Sequence, residues 1–179
     1  MRKYGGLPEV LRKEIARVSI LSVCEWLQNL PWASGIKHSA WQFPVIESVH
    51  SLALSVMLWP AAIVDLRLLD VVMRRRPVSA VATQFLPWVW TGFTVMVLTG
   101  VVLFASEAVK CYNSPFFRVK ISLLAVAGLN AWIFHKTIFR DIASWDDGSA
   151  PPWRARLAGG CSLAVWIGVV AMGRALAYA

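Results

Sequence analysis

Four stretches of the chain are predominantly apolar over enough residues to cross a bilayer, and most of the charge falls between them. They are Pro44–Leu66, Phe85–Ser106, Phe117–Ile138 and Leu157–Tyr178. At about 1.5 Å of rise per residue, some ~20 helical residues match a hydrocarbon core of roughly 30 Å. Backbone groups inside lipid must bond within their own segment, so each stretch is predicted to be a helix. The expected fold is all-α, an integral membrane four-helix bundle. Pro60 falls inside the first span and predicts a kink there. Residues 7–32 read differently, because Leu11, Ile15, Val18, Ile20, Val23, Leu27 and Leu30 are interspersed with Arg12, Lys13, Arg17, Glu25, Gln28 and Asn29. That mixture predicts an N-terminal amphipathic interfacial helix with Trp26 and Trp32 at the headgroups. A fifth span is the competing arrangement, and it would return Arg2, Lys3, Arg12, Lys13 and Arg17 to the cytoplasm. The chain thus divides into an extension with its interfacial helix, 1–43, and a transmembrane domain, 44–179. No leader-cleavage site and no soluble domain is visible.

Charge supplies an orientation. Arg67, Arg74, Arg75 and Arg76 crowd the first link and Lys136, Arg140, Arg154 and Arg156 the third, which marks both as cytoplasmic. The Glu107–Phe116 turn and the C-terminus then face the periplasm, in a bacterial inner membrane. The net charge of +8 is explained by this placement rather than by nucleic acid, since the basic residues form no single solvated block. Ten tryptophans, several flanking the apolar runs, read as interfacial anchors. Cys24, Cys111 and Cys161 have no CxxC spacing, so no zinc or thioredoxin-like motif is present. Cys24 and Cys111 fall on one side of the membrane, either as packing thiols, the default, or as a disulfide pair.

Helices in lipid associate where small residues let backbones approach. The fourth span offers Gly160, Ala164, Gly168 and Ala171, the third Gly128 and Ala131, and the second Gly92 and Gly100. Each set marks an expected inward face.

Ionisable groups within the spans carry the candidate chemistry, because burying them is costly. Glu47 and His50, three residues apart, are expected on one face of the first span. Glu107, Lys120 and Arg174 belong to the same periplasm-side layer, so the candidate cofactor-binding set is Glu47, His50, Glu107, Lys120 and Arg174, with His135 as a further haem candidate. The competing reading has these side chains snorkel to water and brace the helices. Glu47 and His50 are also the candidate metal ligands, with Glu107 as a third. A carboxylate-bridged di-metal site would need a second Glu-x-x-His, which the sequence lacks. Haem b between two histidines is the other option, but His50 and His135 differ in depth by about 18 Å at the helical rise. His135 is instead expected to bond Asp65 or water at the cytoplasmic boundary, and Asn130 to make a helix–helix hydrogen bond. Hydrolase and kinase motifs are absent.

The runs Trp41-Gln-Phe-Pro-Val-Ile-Glu47-Ser-Val-His50, Asp65-Leu-Arg67-Leu-Leu, Arg74-Arg-Arg-Pro77-Val-Ser, Leu86-Pro-Trp88, and Phe117-Arg-Val-Lys120 through Asn130 and His135 resemble an uncharacterised family of small bacterial membrane proteins. The resemblance covers about residues 24–178 and implies the same lead-in helix and four spans. More distantly, the third span looks like the copper-resistance D family and the architecture is similar to cytochrome b561-type bundles, which implies redox or copper handling. The expected function is an accessory or electron-transfer subunit, not an independent enzyme, whose polar layer binds a redox cofactor, quinone, metal or partner protein. Its expected partners are the lipid bilayer and a periplasmic redox protein or larger membrane complex. The alternatives are a small copper or cation transporter, with Met57 and Met96 as deeper soft ligands, and a structural anchor.

Overall fold

The computed structural model describes residues 9–144, 146 and 150–178, and the side chains of 9–17, 138, 141, 143 and 144 lie outside that description. The expectations placed on Arg2, Lys3 and the side chains of Arg12, Lys13 and Arg17 fall outside it too. The described residues form α1 (Glu9–Gln28), α2 (Pro31–His38), α3 (Gln42–Leu68), α4 (Val78–Ser106), α5 (Ala108–Asn113), α6 (Pro115–Ile133) and α7 (Trp153–Tyr178). Four helical segments are long and apolar enough to cross a membrane: α3, α4, α6 with its continuation to Thr137, and α7. The chain is thus an all-α, multi-pass membrane protein.

All four spans start before their sequence-predicted positions. Helix α4 starts at Val78, well before the predicted Phe85, because Pro77 sets the extended backbone that precedes a first turn. Its orphan N–H groups are capped from far away: those of Val78 and Ser79 both donate to the Asp146 carboxylate. Helix α3 continues through Pro60, which is buried within it. Helix α6 ends in a wide π-turn, Phe134–Ile138, followed by a tight 3-10 turn.

Helices α3 and α7 form the centre of the bundle. Helix α4 packs on α3, α6 packs on α7, and α3 packs on α7. By contrast, α4 and α6 do not pack along their lengths; they meet through Phe104 and Phe117, whose rings stack at 5.4 Å. The buried face of α3 follows a heptad-like stripe, His50, Ala53, Met57, Pro60, Val64 and Arg67. Ala53 and Met57 pack on Met96 of α4 to form the central core, flanked by Trp166 of α7. A second core of Leu68, Val78, Phe134 and Ala155 closes the other end.

Close approach depends on glycine at two crossings. A Cβ on Gly92 would lie 2.7 Å from the Met57 nitrogen, and one on Gly159 2.9 Å from the Asp65 carbonyl oxygen. Gly92 and Gly100 face protein as expected, but the faces of α6 and α7 differ from the small-residue reading. Gly128 is exposed with nothing near its missing side chain, and Ala131 is exposed as well. The packed stripe of α6 is Lys120, Leu123, Ala127 and Asn130, continued by Phe134 of the π-turn. On α7, Gly160 and Gly168 touch Leu69 and Leu123, but Ala164 and Ala171 are exposed. The stripe that packs is Ala155, Gly159, Ser162, Trp166 and Val169, which mixes sizes and so escapes a search for small residues. Asn130 does bond across helices, donating from Nδ2 to the Ala158 carbonyl at 3.1 Å.

Helices α1 and α2 sit at the end of the bundle that carries α5. Leu21, Cys24, Leu27 and Gln28 form the covered side of α1, which packs on α4 and α5, while Ala33 of α2 is fully buried near α3 and α4. The Gln28 side chain accepts from the Val109 N–H at 3.3 Å. Val18, Val23, Trp26 and Trp32 remain exposed on the outer side. At the opposite end Arg67, only 1% exposed, donates to the Arg76 carbonyl and to Asp70. It thereby holds a turn in which Asp70 and Met73 both take left-handed backbone angles. Arg74, Arg75, Arg76, Lys136, Arg140, Arg154 and Arg156 are exposed around that end.

Candidate functional site

At the α5 end the bundle partly covers two of the ionisable side chains, His50 and Lys120. His50 leaves the inner stripe of α3 and reaches α4, where its Nδ1 lies 2.9 Å from the Thr99 hydroxyl. Gly100 makes room for the ring, since a Cβ there would come within 3.2 Å of His50 Cε1. Lys120 extends from α6 across α7, and its ammonium rests against bare backbone, 3.5 Å from where a Gly173 Cβ would be. It lies close enough to His50 and to Cys111 to act on both electrostatically. Both His50 and Lys120 are half-buried. Among the described residues no carboxylate pairs with Lys120, and its ammonium has no hydrogen-bond acceptor.

The remaining predicted site residues scatter. Glu47 is exposed: the stripe of α3 steps back four residues from His50, to Ile46, which turns position 47 outward. Arg174 is exposed beside Gly173. Glu107 is half-buried where α4 ends and α5 begins, near the Cys111 thiol rather than bridged to Lys120. His135 is exposed at the far end, in the π-turn, with its ring 5.4 Å from that of Phe139. It therefore does not meet Asp65, and a shared haem between His50 and His135 has no geometry to support it. Glu47, His50 and Glu107 do not form a metal-ligand set, and no group of three His, Cys, Asp or Glu side chains gathers among the described residues.

Around these two side chains lie residues that nothing in the sequence singles out. Thr99 orients His50, Gly173 seats Lys120, and Cys111 lies near Lys120. Burial first, and the Glu107 carboxylate second, push the Cys111 thiol up to about 11. Cys24 and Cys111 are free thiols on the covered faces of α1 and α5. With Ile20, Phe104, Tyr112, Phe117, Arg118 and Ile121 they line an apolar groove of about 360 Å³. A separate polar spot sits at the arginine end. Asp65, 8% exposed, lies near Ser162 of α7, and its Oδ2 has no hydrogen-bond partner among the described residues.

A family model described as a family of unknown function (DUF6644) matches residues 37–179. The match starts inside α2 and takes in all four spans, leaving α1 outside. No curated protein and no solved structure matches the chain.

Proposed function

The chain belongs to the DUF6644 family, and from its own geometry we propose that it is an accessory subunit of a membrane electron-transfer assembly, holding a small lipid-soluble redox cofactor between His50 and Lys120. The observation that carries this is the half-buried ammonium of Lys120, placed within a membrane span with no carboxylate paired to it among the described residues. A charge kept in such a place costs free energy, and a lysine that only braced helices would pair with an acid or reach water. The exposed arginines at the opposite end support a cytoplasmic orientation for that end, and with it the reading of a site near the periplasmic face of a bacterial inner membrane.

The test is a cofactor inventory of the purified protein: oxidised and dithionite-reduced spectra, solvent extraction, and metal analysis on one sample. A redox-active compound is expected in the wild type and in Glu47→Gln and His135→Leu, and is lost from His50→Leu and Lys120→Met. Equal retention in all four variants would overturn the proposal and leave the anchor role. Copper handling is the second reading, supported by the packing of Met57 against Met96 directly beneath His50. It requires Cu(I) binding that weakens in Met57→Leu and Met96→Leu, whereas the cofactor reading requires both variants to keep the redox compound.

A further inference from the structure

We infer that the groove between α1, α4, α5 and α6 is the binding site of an anionic phospholipid, with an acyl chain in the groove and the phosphate on Arg118. The groove exists because two spans do not pack on each other. Helices α4 and α6 meet at the Phe104–Phe117 stack and are not packed along their lengths. Those two rings and Ile121 of α6 line a cleft of about 360 Å³ with Cys111 of α5 and with Ile20 and Cys24 of α1. Ile20 and Ile121 are 51% and 48% exposed, so the cleft is open at the surface rather than sealed, and Ile121 lies within a membrane span. Water finds few hydrogen-bond partners between such walls. Left empty, the walls would forfeit the dispersion contacts that a filled space supplies. An acyl chain is what a bilayer offers to a narrow apolar cleft.

Charge selects the lipid. Arg118, third from the last residue before α6 leaves its first turn, is the one cation lining the cleft among the described residues. Its Nε and Nη2 both donate to the Tyr112 carbonyl, at 3.3 and 3.0 Å, and its guanidinium carbon stands 5.6 Å from the centre of the Tyr112 ring. These contacts fix the guanidinium at the cleft and use only part of it. Among the described residues Nη1 has no acceptor and no carboxylate pairs with the group. A cation already held in place loses little freedom on meeting an anion, and a phosphodiester suits the planar donor edge. Phosphatidylglycerol brings a net negative charge there, whereas the ammonium of phosphatidylcholine opposes the guanidinium. One basic side chain near the headgroups favours the anionic lipid by about fivefold. The site is distinct from the His50 and Lys120 side chains, since Lys120 turns to Gly173 of α7 while Arg118, two residues earlier, lines the groove.

The experiment places the full chain in nanodiscs of equal phosphatidylglycerol and phosphatidylcholine, transfers it to mild detergent and identifies the retained lipid by native mass spectrometry. A single phospholipid per chain is expected, with phosphatidylglycerol enriched about fivefold. Arg118→Gln should return the ratio to that of the disc while a lipid is still retained. Ile121→Trp, which fills the cleft, should lower retention of both lipids. Arg154→Gln, at the arginine end beside Trp153, is the matched control and should keep the enrichment. Circular dichroism confirms the fold of each variant, and the exposed Arg118 gives a test that stands if Ile121→Trp does not fold. No enrichment in the wild type, or an enrichment that Arg118→Gln leaves intact, marks the lipid as bulk carry-over and overturns the inference. Displacement by inorganic phosphate alone assigns Arg118 to a free anion and overturns it as well. So does a dimer that forms as lipid is lost, which gives the cleft to a second copy of the chain.

Discussion

The α3–α4 crossing makes a quantitative demand on Gly92. A methyl carbon needs about 3.5 Å from a non-bonded heavy atom. An alanine Cβ at position 92 would sit 2.7 Å from the Met57 nitrogen, 2.9 Å from the Ala53 oxygen and 2.9 Å from the Met57 Cβ. The shortfall is about 0.8 Å against the nearest of these, and two of the three atoms are backbone, which no rotamer change can move. The helices must separate instead, and a radial gap of 0.5–1 Å forfeits roughly a quarter to a half of each contact's dispersion energy along the seam. We expect Gly92→Ala to destabilise by about 1–3 kcal/mol, as overpacking does. Gly128→Ala is the matched control, since nothing lies within 4 Å of its Cβ position. There the gain in helix propensity should stabilise by roughly 0.5–1 kcal/mol. Reversible unfolding in mixed micelles of mild detergent and dodecyl sulfate reads both variants on one scale. If Gly92→Ala matches or exceeds Gly128→Ala in stability, the α3–α4 seam described above is wrong.

Three further outcomes follow from single contacts. Asp146→Ala removes the remote cap from Val78 and Ser79 and should cost about 1–2 kcal/mol in the same unfolding assay, with Asp146→Asn losing less. Asn130→Leu deletes the bond to Ala158 and should cost roughly 0.6–2 kcal/mol, a loss that Asn130→Gln does not reproduce in full. The Cys111 thiol, raised to about 11, has about one thousandth of its population ionised at pH 8, so maleimide should label it at least ~100-fold more slowly in the folded protein than after unfolding in dodecyl sulfate. Because the folded thiol holds its proton more tightly than the unfolded one, its contribution to stability is complete below the ordinary thiol range and declines as pH rises towards 11. Cys111→Ser should flatten that decline.

Hydropathy made the four spans readable because lipid imposes a length and an apolar surface that few other environments demand. The start of α4 was not readable, since Ser79 to Gln84 looks like a link until Asp146, 67 residues beyond Ser79, is seen to cap it. Helix faces were legible only in part. Glycines at 92, 100 and 168 do mark contacts, but on α6 and α7 the inward stripes contain Lys120, Ser162 and Trp166, which a search for small residues passes over. His50 and Lys120 stood out as titratable groups in apolar runs. Glu47 stood out equally, and its exclusion depends on whether the stripe steps three or four residues back from His50, which spacing alone leaves open. Thr99 and Gly173 matter through what lies opposite them, so nothing local to either residue announces a role.

The placement of α7 between α3 and α6 also bears on how the protein is made. A span synthesised after the other three, from Trp153 onward, is the one that joins the α3–α4 pair to α6. During insertion the α3–α4 hairpin can close as soon as α4 is released, with its glycine seam complete. Helix α6 has no such partner waiting, and it must stand in lipid, Asn130 unpaired, until the ribosome has delivered the Ala158 carbonyl. The two residues of the candidate site stand on α3 and α6, which both pack on α7, so a chain stalled or cut before α7 would carry both without the helix that supports each.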